Sequence, residues 1–172
     1  MTTLILATFL LDTKVAGFKG KLIGCLSDRN VTFNISNPKT KKSVDEFVTK
    51  TVNGQVDTVF EVPAKAKYRV RVSSFGMLTH AFLLEITPGR EANMGTINAF
   101  LGDVNGDNRI DNKDTALIES FLGVESSSPV WDAGYEKSVC PGSDCDLNGD
   151  NVIDKKDLRI AQDNLGKRGS LR

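Results

Sequence analysis

Apolar and polar positions alternate with a period of two over much of the first hundred residues. Val31, Phe33 and Ile35 alternate with polar neighbours, as do Tyr68, Val70 and Val72, and Phe82, Leu84 and Ile86. That period predicts strands with one buried face. Asn37-Pro38, Asn53-Gly54, Val62-Pro63-Ala64, Phe75-Gly76 and Thr87-Pro88-Gly89 are the turn and breaker signals between them. Several short strands with hardly any helical periodicity predict an all-β antiparallel sandwich. After Phe100-Leu101-Gly102 the pattern changes. Residues 112–122 and 155–165 read as helices, closed by Gly123 and Gly166. Leu117 and Ile160 match between them, as do Leu122 and Leu165, which predicts an inward apolar row on each. The stretch from 95 to 102 is strand-like. The expected fold is two domains: residues 1–100 an all-β sandwich, and residues 101–172 a small all-α module.

Charge sharpens that division. The chain has no net charge, yet residues 1–102 carry 13 basic against 8 acidic side chains, and residues 103–172 carry 9 against 14. The basic half lacks a dense Lys/Arg stripe with interleaved aromatics, so nucleic-acid binding is not expected. The longest apolar stretch, residues 4–11, is far short of the roughly 20 residues a membrane-spanning helix needs. No Lys or Arg precedes it, so it reads as a first strand and not as a secretory signal. A trimmed signal, a fragment and a cytosolic chain all remain compatible with that.

The change at residue 103 introduces an internal repeat. Residues 103–114 read DVNGDNRIDNKD and residues 146–157 read DLNGDNVIDKKD, so the copies begin 43 positions apart. Calcium is a hard cation that takes six to eight oxygens, and a twelve-residue loop supplies them from positions 1, 3, 5, 7 (a backbone carbonyl), 9 and 12. In the first loop these are Asp103, Asn105, Asp107, the Arg109 carbonyl, Asp111 and Asp114. In the second they are Asp146, Asn148, Asp150, the Val152 carbonyl, Asp154 and Asp157. Asn/Asp/Gly-rich turns need no metal, but two copies with the same ligand types at all five side-chain positions point to two calcium ions. Position 6 is Asn108 and Asn151, tolerant of the left-handed turn usually given to Gly. Position 12 is Asp where the standard loop has Glu, a shorter arm for bidentate binding. Ile110 and Ile153 are expected to anchor the loops, paired with each other.

Residues 124–145 form a Ser/Pro/Gly-containing connector with Trp131, Tyr135, Cys140 and Cys145. A short helix, a local core role for Trp131 and a disulfide-closed Cys140–Cys145 turn are expected there, with free thiols as the alternative. Cys25 is left over. A zinc site is disfavoured because structural zinc takes four ligands and the only His, His80, is remote in sequence.

Two family resemblances rest on these residues. Asn53-Gly54-Gln55, Phe60-Glu61-Val62-Pro63-Ala64, Tyr68-Arg69-Val70-Arg71-Val72 and Phe75-Gly76-Met77-Leu78 resemble the carboxypeptidase-regulatory-like, transthyretin-like β-sandwich over residues 20–98. Lys65-Ala66 replace that family's usual glycine, and the resemblance implies a non-catalytic spacer or adhesion role. A loop plus exiting helix, used twice without an entering helix, resembles the type I-like dockerin over residues 102–167. That resemblance implies a calcium-dependent module that binds a cohesin partner and assembles extracellular complexes of the cellulosome kind. It also implies a partner face of Asn112, Lys113, Glu119 and Ser120 in the first copy. The second copy supplies Lys155, Lys156, Gln162, Asp163 and Lys167. The near-symmetry of the halves permits two docking orientations, while Glu119/Gln162 and Val124/Lys167 break it. The alternative is a calcium-stiffened segment of a surface or adhesion protein with no cohesin partner. No enzyme is expected: there is one His, no nucleophile–His–Asp context and no phosphate loop.

Overall fold

The computed structural model describes residues 15–24, 28–133 and 140–170. The expected first strand at residues 4–11, Cys25 and Tyr135 lie outside them. Among the described residues two compact units emerge: one of residues 15–23, 28–73 and 80–98, the other of residues 24, 74–79, 99–133 and 140–170.

The first unit is built from β1 (Val15–Ile23), β2 (Asn30–Ser36), β3 (Ser43–Lys50), β4 (Gln55–Glu61), β7 (Glu91–Asn98) and most of β5 (Ala66–Ser74) and β6 (Gly76–Ile86). One of its sheets runs β4-β1-β7 and the other runs β3-β2-β5-β6, while the first residues of β6 and the three-residue β8 (Leu101–Asp103) belong to the second unit. The alternating residues face inward as their period requires, with Val31, Phe33, Ile35, Val70 and Val72 fully buried. Aromatic rings join the sheets. Phe18 of β1 lies 4.2 Å from Phe60 of β4 and 5.7 Å from Phe33 of β2, while Phe33 stacks on Phe47 of β3 at 5.4 Å. The sandwich is not wholly antiparallel. β1 pairs antiparallel with β4 but parallel with β7, with a register shift at Lys19/Gly20. Parallel neighbours need a long crossover, and here the chain visits both sheets between β1 and β7.

The second unit corrects the all-α expectation. β8 pairs with the start of β6 (Gly76↔Asp103, Met77↔Leu101), and isolated bridges join Arg109 to Arg168 and Glu125 to Val152. The buried Leu101 backbone needs hydrogen-bond partners, which an extended pairing supplies. Helices are a minor part: α1 (Asn112–Ser120), α2 (Val130–Ala133), a 3-10 turn (Gly142–Cys145) and α3 (Lys155–Asp163). Both long helices stop short of the expected ends. Gly123 and Gly166 follow them with φ of 85° and 81°, the left-handed conformation that closes a helix. Gly102 lets β8 approach α3, since a Cβ there would stand 3.0 Å from the Ala161 backbone.

The inward row also differs. Ile118 and Phe121 face the core from the first repeat and Ala161 from the second. Leu117 and Ile160 are half-buried, while Leu122 and Leu165 are 41% and 43% exposed. The buried acids Asp114 and Asp157 occupy part of each inward face, which rotates the leucines outward. Trp131 is half-exposed and not a core plug. No helix among the described residues is long and apolar enough to cross a membrane.

Candidate metal centres and docking face

Each loop folds through contacts between its own residues. Asn108 and Asn151 sit at φ of 66° and 69°, the left-handed turn expected at position 6. In the first loop the Asn108 N–H donates to Asp103 Oδ2 at 3.0 Å, the Asp107 N–H to Asn105 Oδ1 at 2.8 Å, and the Arg109 N–H to Asp107 Oδ1 at 3.0 Å. The second loop repeats the wiring: Asn151 N–H to Asp146 Oδ2 at 3.0 Å, Asp150 N–H to Asn148 Oδ1 at 2.7 Å, Val152 N–H to Asp150 Oδ1 at 3.2 Å.

Positions 9 and 12 are also helix caps. Asp111 is the N-cap of α1 and accepts from the Lys113 N–H at 2.9 Å, while Asp114 Oδ2 accepts from the Asp111 N–H at 2.8 Å. Asp154 and Asp157 form the same reciprocal box at α3, at 2.6 and 2.9 Å. The twelfth residue therefore joins loop start to helix start: Asp114 Oδ1 also accepts from the Asn105 N–H at 3.2 Å, and Asp157 Oδ1 from the Leu147 N–H at 2.8 Å. Glu in its place would overreach these bonds.

Ile110 and Ile153 are fully buried, and the backbone bonds of each run to the other repeat's exit. The Ile110 N–H donates to Lys167 O at 3.1 Å and its carbonyl accepts from the Gly166 N–H at 2.8 Å. The Ile153 N–H donates to Val124 O at 2.9 Å, and its carbonyl accepts from the Gly123 N–H at 2.8 Å. Each loop is thus pinned to the chain that leaves the other loop's helix. Position 8 of one repeat depends on the C-cap of the other.

Asp103 is 6% exposed, and its Oδ1 has no hydrogen-bond partner. Burial, aided by the charge of Asp114 and opposed by the Asn108 N–H, pushes its carboxyl up to about 6. Burial also raises Asp114 and Asp157, against the pull of the N–H groups they accept from. Among the described residues no three His, Cys, Asp or Glu side chains converge into a tight cluster, because most of these carboxylates are turned onto backbone N–H groups. A buried orphan oxygen beside further carboxylates, with amide and carbonyl oxygens in the same loop, is a donor set of the kind calcium takes.

In the second loop one of the two lysines reaches back onto the carboxylates. Lys156 Nζ stands 2.8 Å from Asp150 Oδ2 and 3.3 Å from Asp154 Oδ2, and its hydrogen bond holds the Asp150 carboxyl below its usual value. Lys113, at the matching position, makes no ion pair among the described residues.

Of the residues assigned to the partner face, Asn112, Lys113, Glu119, Ser120, Lys155, Gln162 and Asp163 are exposed. Asp163 lies 3.9 Å from Arg159, and Ser120 Oγ donates to Leu117 O at 2.6 Å. Lys167 is half-buried, with its Nζ 2.6 Å from Asn164 Oδ1 and 3.9 Å from the Phe100 ring centroid. Leu122 and Leu165 are absent from the expected face, although both lie exposed at matching positions. Their recurrence in the same register of both copies was the available signal, and the expected inward row absorbed it. Cys140 and Cys145 are both buried as thiols, not joined by the expected disulfide, and a hydrogen bond links Cys145 to Cys140.

Repeated loop-helix units wired crosswise through their position-8 residues define a class. Residues 101–166 match the family model of the dockerin type I domain, and this segment is a dockerin. Two similar solved structures are interface mutants of a type II cohesin–X–dockerin complex from Acetivibrio cellulolyticus. The C-terminal interface mutant is 21% identical with a TM-score of 0.58, covering 90% of this chain and 97% of that one. The N-terminal interface mutant is 21% identical with a TM-score of 0.59, covering 91% and 97%. At that identity the likeness establishes the fold. No curated protein matches the chain.

Proposed function

We propose that the chain is a non-catalytic docking protein whose dockerin segment binds a cohesin partner when calcium fills both loops. The observation that carries this reading is the buried Asp103 Oδ1, which lacks a hydrogen-bond partner, in a loop whose ligand pattern recurs at residues 146–157. A buried carboxylate oxygen without a partner is costly unless a cation compensates it. The proposed ligands are Asp103, Asn105, Asp107, the Arg109 carbonyl, Asp111 and Asp114, and the equivalent six from Asp146 to Asp157. Calcium supplies positive charge to these oxygens, while the capping boxes carry the loop geometry into α1 and α3. The exposed Leu122 and Leu165, flanked by Asn112, Lys113, Glu119, Lys155 and Gln162, then form the partner face. The similar solved structures are cohesin–X–dockerin complexes, which supports a cohesin partner, and a location outside the cell or at its surface is part of this proposal.

Lys156 and Lys167 favour the second reading, a calcium-stiffened structural segment, because both are engaged within the chain. One pair of experiments separates the readings. Calorimetric titration of chelator-stripped protein is expected to show two calcium ions per chain, and capture on a cohesin module is expected to vanish in chelator. Two calcium ions with no capture by cohesins of any type would leave the structural reading. Fewer than two ions would defeat both.

A further inference from the structure

We propose that Cys140 and Cys145 close into a disulfide that staples shut the last turn of the connector, immediately before the second loop. The geometry rests on the turn between them. Pro141 is extended, with φ of −66° and ψ of 157°, and caps the 3-10 turn Gly142–Cys145. The Asp144 N–H donates to Pro141 O and the Asp146 N–H to Ser143 O, both at 3.3 Å. The span between the cysteines therefore folds back on itself and brings the two thiols into contact.

The turn is also held in place. A Cβ on Gly142 would stand 3.1 Å from the Phe121 ring and 3.1 Å from the Val130 carbonyl, so a side chain there would have to push these neighbours back. Cys140 is 8% exposed and Cys145 fully buried. Such a pair serves poorly as an exchangeable thiol or metal site. The two thiols are hydrogen-bonded to each other and shielded from solvent. A disulfide carries no charge and suits the site. It forms before the turn packs, while the thiols are still accessible. Two S–H bonds break, one S–S bond forms, and two electrons with two protons pass to the disulfide of a thiol oxidant, which leaves as a dithiol.

The test is independent of calcium and of cohesin. The full chain is refolded in a glutathione redox buffer with chelator, denatured without reductant, and its thiols counted. One free thiol is expected, from Cys25, and the peptide holding Cys140 and Cys145 should be lighter by two hydrogens. Reduction should lower the melting temperature by about 5 °C, and Cys140→Ser should reproduce that loss. Cys25→Ser should leave no free thiol and no covalent dimer. Three free thiols, or a bond from Cys25 to either partner, would overturn the proposal.

Discussion

The Asn108 side chain donates through Nδ2 to the Ser170 carbonyl at 3.0 Å, across 62 positions of sequence. Its Oδ1 accepts from the Thr79 N–H at 2.9 Å, and its own carbonyl accepts from the Gly169 N–H at 3.0 Å. The residue that makes the tight turn of the first loop also fastens the C-terminal end of the unit. Asn151 has the same φ, but no side-chain hydrogen bond is found for it among the described residues. Asn108→Gly keeps the turn and loses the fastening, so it should cost about 1–2 kcal/mol, while Asn151→Gly should stay within about 0.5 kcal/mol. Chemical denaturation of both variants in chelator checks the difference. Equal losses would mean that the fastening contributes nothing.

Lys156 makes the two loops unequal. Its ammonium contacts two of the proposed ligands, Asp150 and Asp154, and must leave or share them when calcium enters. Lys156→Met should tighten calcium at one of the two sites by roughly two- to fivefold, since an exposed ammonium competes only weakly for the two carboxylates. Lys113→Met should change neither site by as much. Calorimetry on both variants reads the asymmetry directly.

Burial at Asp103 has a pH signature. A carboxyl at about 6 in the folded chain, against an ordinary 3.8, is protonated in the fold after the unfolded chain has ionised. The unfolded state thus loses the proton first as pH rises. Metal-free protein should be most stable below about pH 4 with respect to this group, and should lose that contribution between about 4 and 6. Melting curves in chelator follow this window, and Asp103→Asn should flatten it.

The aromatic cluster of the first unit should carry much of its stability. Phe18 is fully buried between Phe60 and Phe33. Phe18→Ala is expected to cost about 3–5 kcal/mol, while calcium stoichiometry at residues 103–114 and 146–157 stays at two. Loss of calcium binding in this variant would show that the units do not fold independently.

Leu122 and Leu165 are exposed on matching positions of the two repeats. Leu122→Asp and Leu165→Asp should each leave stability within about 0.5 kcal/mol. Together they should weaken capture by a cohesin partner at least tenfold, on the order of 1.4 kcal/mol or more. An unchanged affinity would remove these leucines from the partner face.

Local chemistry was legible in advance. The left-handed turns at Asn108 and Asn151, the closing glycines after α1 and α3, and the strands around Phe33 and Val70 all depend on residues within one turn or one pleat. A twelve-residue loop makes most of its hydrogen bonds to itself, so its spacing carries its shape. Partner choice is different. A period of two assigns Phe18 a buried face but does not tell β1 to run parallel to β7. Nor does it tell Leu101 to pair with Met77 and make the second unit partly β.

The helix faces show the same limit at single residues. Matching leucines in two helices predict a common environment, and Leu122 and Leu165 do share one, but it is the surface. The inward positions go in part to Asp114 and Asp157, whose carboxylates reach back to backbone N–H groups of their own loops. Sequence spacing by itself determined where the ligand-bearing loops begin, turn and end. Only the tertiary structure decided that Ile110 and Ile153 are each held by the chain leaving the other repeat. That crossing joins Ile153 to Val124, 29 positions away, and Ile110 to Lys167, 57 positions away, and hydrogen bonds at such separations leave no periodic trace along the chain.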